Sequence, residues 1–364
     1  MKKIRLRDVA DVITKGTTPT SIGYEFVNKG INFIKVESIT EDGAFIENKF
    51  AYITDECNKK LSRSQLQEND ILFSIAGAIG RVAIVDKNIL PANTNQALAI
   101  IRLHKGVYEY NFLKYILKSP AISKQFEKQK QGVAQINLSL KNIGDFEIPV
   151  ISIEQQKKIS LELDKITDLI NKRKKQLEKL DELVKSRFVE LFHGKGYPTL
   201  KWNEVFNTTT GKLDSNAMVE NGEYPFFTCA KEVFRIDKYA FDQEALLLAG
   251  NNAAGKYDVK YYKGKFNAYQ RTYVLGLKED WSYQLFRYQL EDKLLYLQQQ
   301  SLGGLTKYLT LKILGELEFI VPPMDKQNEF TAFVEQTDKS KFEIKQSLEK
   351  LELLKKALMQ KYFR

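Results

Sequence analysis

A long charged segment with apolar residues at regular intervals begins at Ser152. The string Ser-Ile-Glu-Gln places Ser152 at a helix N-cap with Gln155 three residues later, which is the spacing of a capping box. Apolar residues then recur at alternating intervals of three and four, as in the seam of a coiled coil. The predicted seam consists of Ile159, Leu163, Ile166, Ile170, Leu177, Leu180, Val184 and Leu191. Arg173 and Arg187 interrupt it.

A second helix of the same kind is predicted near the end of the sequence. Its seam consists of Phe330, Val334, Ile344, Leu348, Leu351, Leu358 and Tyr362, with polar breaks at Thr337, Lys341 and Lys355. Neither helix can cover its apolar seam alone, so we expect the two to pair as an antiparallel coiled coil. At about 1.5 Å per residue, the span from Ile159 to Leu191 is roughly 50 Å, long enough to hold two domains apart. The alternative is an ordinary dimerisation coiled coil.

The chain repeats itself, and the repeat is clearest in these helices. Residues 176 to 192, QLEKLDELVKSRFVELF, align without gaps on residues 347 to 363, SLEKLELLKKALMQKYF, at an offset of 171 residues. The same offset aligns Gly132 with Gly303, Leu138 with Leu309, Leu140 with Leu311 and Gln156 with Gln327. Weaker matches follow upstream in the same order. We therefore predict a duplication in which a variable domain and a long helix each occur twice.

Short β-rich segments make up the two variable domains. They include INFIKVESI, DILFSIA, VAIVD and ALAIIRL in the first domain, and YPFFTCA, ALLLAG, DVKYY and RTYVLGL in the second. One amphipathic helix is predicted after the strands of each domain, near residues 110 to 128 and 281 to 299. The fold class is therefore α+β, with two mixed α/β domains, each followed by a long helix. The predicted segments are domain 1 at 1–151, a central helix at 152–195, domain 2 at 196–323 and a C-terminal helix at 324–364.

Composition and charge narrow the possible functions. The chain has 364 residues, of which 43% are hydrophobic, and a formal net charge of +10. This charge favours a polyanionic partner such as nucleic acid, and a merely basic globular protein is the alternative. The two cysteines and two histidines form no cluster, so we expect no metal site and no disulfide framework. We find no signal peptide and no apolar stretch of about 20 residues, so a soluble cytoplasmic protein is expected.

Polar and basic residues in the loops between strands are the candidate DNA contacts. Lysine and arginine beside glycine can approach a phosphate, and Asn, Gln and Arg match the edges of adenine and guanine. Plain hairpin turns and self-satisfied turn amides are the alternatives. The candidates in domain 1 are Lys15, Thr17, Thr18, Lys35, Ser74, Arg81, Asn93, Asn95, Gln96, Gln131, Gln135, Asn137, Ser139 and Lys141. Those in domain 2 are Lys212, Lys231, Asn251, Asn252, Lys256, Asn267, Tyr269, Gln270, Arg271, Thr306, Lys307, Tyr308, Thr310 and Lys312.

The last loop of each domain shows what the two copies share. KQGVAQINLSLKN in the first copy and LGGLTKYLTLKI in the second keep one glycine and two leucines, whereas the polar residues differ. A common scaffold with different polar side chains is what we expect of two domains that read different base sequences.

The order of these features resembles the specificity subunit of type I restriction-modification systems. The resemblance extends from IRLRDVADVITKGTTP to QKYFR, and its most specific part is EIPVISIEQQKKI with the LEKL heptads. It implies two target recognition domains that each read half of a bipartite DNA site, and helices that set the unread spacer. It also implies two methyltransferase subunits that carry S-adenosylmethionine and methylate adenine N6, and a possible restriction and translocase subunit. The second proline strand, VPPMDKQNEF, departs from the pattern because it lacks the Glu-Gln pair.

We expect no catalytic centre in this chain. The sequence has no Asn-Pro-Pro-aromatic or Asp-Pro-Pro-aromatic motif for amino methylation, and no complete GxxxxGK[ST] nucleotide-binding loop. No cofactor is therefore expected here, and S-adenosylmethionine is assigned to the partner methyltransferase. The alternative is a stand-alone, sequence-specific DNA-binding scaffold, which would purify without a methyltransferase.

Overall fold

A computed structural model describes residues 2–127, 138–253 and 255–363. The chain divides into two compact units. Unit 1 comprises Met1–Lys174 and Gln346–Arg364, and unit 2 comprises Lys175–Lys345. Each unit mixes helices with β-sheet, which confirms the α+β fold class. The predicted segment boundaries stay a prediction, because each compact unit includes parts of both long helices.

The described residues of unit 1 form three sheets built from short strands. The strands are β1 (Lys3–Arg5), β2 (Ala10–Lys15), β3 (Ile31–Ile34), β4 (Ala51–Ile53), β5 (Ile71–Ser74), β6 (Val82–Ile84), β7 (Ala92–Thr94), β8 (Leu98–Leu103) and β9 (Glu147–Pro149). The sheet orders are β2-β8-β5-β6, β4-β3-β7 and β1-β9. Only β3 and β7 pair in parallel, and the other pairs within unit 1 are antiparallel in the part of the chain described here.

Unit 2 repeats this plan with longer strands. Its strands are β10 (Thr199–Lys201), β11 (Phe206–Thr210), β12 (Tyr224–Phe227), β13 (Phe234–Ile236), β14 (Phe241–Ala249), β15 (Asn251–Ala253), β16 (Val259–Ala268), β17 (Thr272–Leu277), β18 (Thr306–Tyr308) and β19 (Glu318–Ile320). The sheet orders are β11-β17-β14-β16-β12-β13, β15-β18 and β10-β19. The parallel pair is β12 with β16, which corresponds to β3 with β7 in unit 1. All eight β-rich segments named from the sequence contain strands.

The α-helices differ greatly in length. They are α1 (Asp55–Lys60), α2 (Tyr110–Leu117), α3 (Pro120–Glu127), α4 (Leu140–Gly144), α5 (Ile153–Phe192), α6 (Trp202–Val205), α7 (Tyr283–Asp292), α8 (Leu294–Gln300), α9 (Leu311–Gly315) and α10 (Met324–Tyr362). Short 3-10 turns lie at Leu6–Val9, Pro19–Ile22, Val36–Ser38, Glu47–Lys49, Ser62–Ser64, Lys87–Ile89 and Ser215–Ala217. The Ser152 hydroxyl accepts a hydrogen bond from the Gln155 N–H at 3.3 Å, which confirms Ser152 as the N-cap of α5.

The single helix predicted after the strands of each domain is wrong in both units. In unit 1 the segment is divided into α2 and α3, because Pro120 cannot donate to the preceding turn and disfavours helical backbone at Ser119. In unit 2 the break lies at Lys293, whose N–H bonds to the Leu290 carbonyl three residues back rather than four. Leu290 and Leu297 stay buried on either side of this break.

The apolar core of unit 1 lies between the β2-β8-β5-β6 sheet and the helices. Phe73 of β5 packs edge-on against Phe146, and Phe112 of α2 packs against Phe363 beyond the end of α10. Leu163 of α5 belongs to the same buried cluster. Burying such rings removes on the order of 150–250 Å² each from water. The domain core of unit 1 therefore includes Leu163 of α5 and Phe363, and Leu358 of α10 packs against it.

Unit 2 has an aromatic cluster at the equivalent place. Phe188 and Phe192 of α5 pack against Phe330 of α10 with ring centroids 5.7 and 5.5 Å apart. The ring of Tyr288 of α7 packs at a tilt against Phe188, with the ring centroids 4.8 Å apart. The domain of unit 2 is therefore attached to both helices by aromatic contacts.

The two long helices run antiparallel within each unit, as the sequence predicts. In unit 1 the Tyr362 hydroxyl donates to Glu162 at 2.6 Å, and Lys174 lies 3.7 Å from Glu352. In unit 2 Lys341 pairs with Asp181 at 2.6 Å and Arg187 with Glu329 at 2.5 Å. None of the predicted seam residues is exposed. Those named for helix pairing are Ile159, Leu163, Ile166, Ile170, Leu177, Leu180, Val184, Leu191, Phe330, Val334, Ile344, Leu348, Leu351 and Leu358.

Across the described residues, none of the helices combines the length and the apolar character that crossing a bilayer requires.

Candidate nucleic-acid interface

Three loops of unit 1 are joined by backbone hydrogen bonds. The Gly16 N–H donates to the Asn95 carbonyl at 3.2 Å, which connects the loop after β2 to the loop after β7. The Ile75 N–H donates to the Ala97 carbonyl at 2.9 Å, and the Leu138 N–H donates to the Ile75 carbonyl at 3.0 Å. The loops at 15–18, 74–81 and 95–97 thus converge, together with the segment that begins at Leu138.

Several predicted contacts in unit 1 lie on this convergent surface and have exposed side chains. Lys15 and Gln96 are exposed, whereas Thr17, Thr18 and Asn95 are half-buried. The Thr18 hydroxyl donates to the Gln96 side-chain oxygen at 2.5 Å, which fixes the orientation of both side chains. Lys141 and Ser139 are also exposed, and the Ser139 hydroxyl caps α4. The candidates Gln131, Gln135 and Asn137 lie outside the described residues.

Three other candidates of unit 1 are used to hold the loops in place. Asn93 is fully buried, and its amide bonds to Asn58 at 2.8 Å and accepts from Ser64 at 2.7 Å. Ser74 is buried and accepts from the Arg81 N–H at 2.7 Å. The Arg81 guanidinium donates to the Ile39 carbonyl at 2.7 Å and to the Val36 carbonyl at 3.1 Å. Asn93 and Ser74 are engaged inside the protein, so we remove them from the candidate DNA contacts. Arg81 is half-buried, and its contact with DNA stays a prediction.

The remaining candidate of unit 1, Lys35, is half-buried. Its ammonium group lies 4.6 Å above the centre of the Phe26 ring and 3.9 Å from Glu37. A cation held over an aromatic ring and beside a carboxylate is partly neutralised. Lys35 is therefore a weaker candidate than Lys15.

The loops of unit 2 converge in the same way. The Gln270 N–H donates to the Leu213 carbonyl at 2.9 Å, and the Gly250 N–H donates to the Arg271 carbonyl at 2.8 Å. The Leu309 N–H donates to the Gly250 carbonyl at 2.8 Å, as Leu138 does to Ile75 in unit 1. The β15-β18 pair then sets Asn251 opposite Tyr308 and Asn252 opposite Lys307.

A shallow cavity of about 200 Å³ lies where these loops meet. Asn251, Gln270, Arg271 and Tyr308 contribute to its lining. Tyr273 also lines the cavity, and its hydroxyl donates to the Leu309 carbonyl at 3.0 Å. Burial raises the pKa of Tyr273, so its hydroxyl stays a neutral donor at physiological pH. The cavity brings together amide, guanidinium and aromatic groups, which are the groups that contact bases.

Most of the predicted contacts of unit 2 are accessible. The exposed ones are Lys212, Lys231, Lys256, Gln270, Arg271, Thr306, Tyr308 and Lys312. The half-buried ones are Asn251, Asn252, Tyr269, Lys307 and Thr310. The Thr310 hydroxyl caps α9, as Ser139 caps α4. Asn267 is 4% exposed, and its amide donates to the Lys238 carbonyl at 2.9 Å, so we remove it from the DNA contacts.

Gly16 and Gly211 occupy equivalent positions in the loops of the two units, and neither was predicted as a functional residue from the sequence. A side chain on Gly16 would begin 1.7 Å from the Thr94 carbonyl oxygen, and one on Gly211 would begin 1.7 Å from the Ala268 carbonyl oxygen. No residue other than glycine fits at either position. The available signal was a glycine directly after the first long strand of each domain, in TKGTT and TTGKL. The two units thus present different polar side chains on the same loop framework.

Comparison with known proteins supports this duplicated arrangement. The family model described as "Type I restriction modification DNA specificity domain" matches residues 1–179 and 195–355. The EcoDI specificity subunit of Escherichia coli is 49% identical over 94 residues, which are 25% of this chain and 20% of that protein. The EcoBI specificity subunit of Escherichia coli is 30% identical over 204 residues, which are 53% of this chain and 41% of that protein. The chain thus spans less than half the length of these relatives.

A solved structure shares the whole fold. The S subunit of the type I restriction-modification system from M. genitalium superposes with a TM-score of 0.64 at 17% identity, covering 100% of this chain and 96% of that one. At this identity the likeness concerns the fold. The family match covers both duplicated parts of the sequence. The chain therefore belongs to the family of type I restriction-modification DNA specificity domains.

Proposed function

We propose that this chain is the non-catalytic DNA specificity subunit of a type I restriction-modification system. Each unit reads one half of a bipartite DNA site through its convergent loops. The observation that carries this proposal is the shared loop framework of the two units, which presents a different set of exposed polar and basic side chains in each. A duplicated scaffold whose contact residues differ between the two copies is suited to reading two different half-sites.

The loop side chains divide into two classes by their chemistry. Lys15 and Lys141 in unit 1, and Lys212, Lys256 and Lys312 in unit 2, are exposed cations that can hold the phosphate backbone. Exposed Gln96, Gln270 and Arg271 have the donors and acceptors that read base edges in the major groove. Phosphate contacts position the protein, and the amide and guanidinium groups specify the sequence.

In this proposal the chemistry belongs to partner subunits. Two methyltransferase subunits, which bind S-adenosylmethionine and methylate adenine N6, assemble on this chain, and a restriction and translocase subunit completes the nuclease. Large apolar side chains on the long helices support such docking. Leu161 and Leu353 of unit 1 are 57% and 60% exposed, and Leu183 and Phe342 of unit 2 are 49% and 61% exposed. Apolar residues of this size at a helix surface are typical of protein interfaces.

Exchange of one domain tests the proposal directly. Residues 1 to 150 are replaced by the corresponding domain of another family member, and the methylated motif of the host genome is determined by methylation-aware sequencing. We expect one half of the motif to change and the other half to persist. A change in both halves, or in neither, would contradict modular reading by two units.

A further inference from the structure

Gln156, in the first turn of α5, makes two hydrogen bonds that attach the helix to the domain of unit 1. Its side chain is 1% exposed. The side-chain oxygen accepts from the Glu109 N–H at 2.8 Å, and the side-chain amide donates to the Ile151 carbonyl at 3.0 Å. Glu109 is the N-cap of α2, so this glutamine connects the start of the long helix to the start of a domain helix.

Gln327 makes the same two bonds in unit 2. It is also 1% exposed. Its oxygen accepts from the Ser282 N–H at 3.0 Å, and its amide donates to the Pro322 carbonyl at 2.8 Å. Ser282 is the N-cap of α7. The two glutamines thus occupy equivalent positions although VPPMDKQNEF lacks the Glu-Gln pair of EIPVISIEQQKKI.

A second contact follows one turn later on each long helix. The Ser160 hydroxyl donates to the Glu109 carboxylate in unit 1, and the Thr331 and Ser282 hydroxyls bond to each other in unit 2. The N-cap residue of the domain helix is therefore held at its backbone N–H by the glutamine and at its side chain by a hydroxyl. Such a pair of contacts restricts both translation and rotation of the domain on the helix.

We infer that Gln156 and Gln327 are positioning residues that fix the angle at which each recognition domain leaves its long helix, and thereby the half-site spacing that the protein accepts. This inference rests on the proposed function. One additional base pair moves a half-site by about 3.4 Å along the DNA and turns it by roughly 35°. A domain held rigidly at its helix cannot follow that displacement. A domain whose junction with the long helix, made by these hydrogen bonds, is loosened can follow part of that displacement.

The substitutions Gln156→Met and Gln327→Met remove both hydrogen bonds while nearly keeping the shape of the side chain. Gln289→Met is the matched control. Gln289 is 2% exposed, and it accepts from the Ile320 N–H at 2.7 Å and donates to the Ile320 carbonyl at 3.0 Å. It joins α7 to β19 inside the domain, so its loss removes the same kind of bonds without loosening the junction with α10.

The experiment uses the 364-residue chain and the motif determined from the host genome. Duplexes with the native spacer, one base pair fewer and one base pair more compete for binding to each variant. We expect the wild type and Gln289→Met to bind the native duplex about 100-fold more tightly than either altered duplex, because small misplacements at a rigid site are costly. For the two junction variants, Gln156→Met and Gln327→Met, we expect this ratio to fall to about 10-fold. Thr331→Val, which alters the neighbouring contact, is expected to fall between them.

The inference is overturned if the junction variants keep the wild-type spacer ratio, or if Gln289→Met lowers that ratio equally. Circular dichroism confirms folding of each variant, and Thr331→Val supplies the comparison if a methionine variant does not fold. Failure of the wild-type chain to prefer any bipartite duplex would instead contradict the proposed function. The two failures are therefore distinguishable.

Discussion

Asn93 and Asn267 make the same hydrogen bond in the two units: each side-chain oxygen accepts from the backbone N–H of the next residue at 2.9 Å. The Asn93 amide also donates to the Leu61 carbonyl, and the Asn267 amide donates to the Lys238 carbonyl. Both side chains are buried. A buried amide held in this way shapes the loop that follows it and is not accessible to a base.

The first prediction concerns stability. Asn93→Ala is expected to lower the free energy of unfolding by about 2–3 kcal/mol, because the interior bonds to Ser64 and Asn58 are lost and a cavity remains. Gln96→Ala, at an exposed position three residues later, is expected to change it by no more than about 0.5 kcal/mol. Urea denaturation of the 364-residue chain measures both. Similar losses for the two variants would argue against the structural role of Asn93.

The long helices could be predicted because their signals are local. The seam of α5 repeats within one stretch of sequence, Ser152 marks its start, and the repeat in α10 confirms the pattern at a fixed offset. Because an α-helix turns once every 3.6 residues, the spacing of the apolar residues shows which face of the helix is buried, whichever element packs against it. The seam residues are accordingly all buried or half-buried.

The roles of the loop residues could not be read in the same way. Asn93 lies in β7, where it pairs with Phe33 of β3, a residue sixty positions earlier in the chain. The residues next to Asn93 do not indicate that pairing. An Asn between short polar residues also has the same local sequence pattern whether its side chain is buried or exposed. Gly16 was missed for a related reason, since its close neighbour is the distant Thr94 carbonyl.

The second prediction concerns base reading in unit 2. Arg271 is exposed beside the cavity that Asn251, Gln270 and Tyr308 also line. Arg271→Ala is expected to reduce discrimination by about 1–3 kcal/mol at one position of one half-site, and to leave the other half-site unchanged. Competition binding with duplexes substituted at each position measures this.

Lys263→Ala is the control for Arg271. Lys263 is an exposed cation of β16 that pairs with Glu244 at 3.0 Å. Its loss is expected to leave discrimination at every position unchanged. The contrary result is that Arg271→Ala weakens binding to all duplexes equally and reduces the slope of log affinity against log salt concentration by about one. That result would mean that Arg271 contacts a phosphate and not a base.

The third prediction concerns docking of the methyltransferase that we propose as a partner. Leu169 of α5 is 45% exposed although it lies beside the buried Ile170. Leu169→Glu is expected to abolish co-purification with the methyltransferase, because a buried, unpaired carboxylate is costly in an apolar interface. Asn171→Glu, at an exposed polar position two residues later, is expected to preserve the complex. Retention of the complex by Leu169→Glu would exclude this face of α5 from the interface.

The last prediction concerns Lys355, a polar break in the seam of α10. Burial lowers the pKa of Lys355, and the nearby Lys114 and Lys174 lower it further, whereas Asp42 and Asp164 act in the opposite direction. The folded protein therefore disfavours the charged lysine more than the unfolded chain does. This cost is fully present below the depressed pKa and disappears as the pH rises towards the ordinary lysine value of about 10.4.

Lys355→Met is accordingly expected to raise the melting temperature by about 1–3 °C at pH 7, because it keeps the aliphatic stem in place and removes the charge. The advantage over the wild type is expected to shrink at pH 10, close to the ordinary lysine value, because the cost of the buried charge falls as the lysine loses its proton. Lys356→Met, at the next and exposed position of α10, is the control, and we expect it to shift the melting temperature by less than about 1 °C. Thermal unfolding at the two pH values checks both expectations. A stabilisation that does not change with pH would mean that packing of the methionine, and not removal of the charge, is responsible.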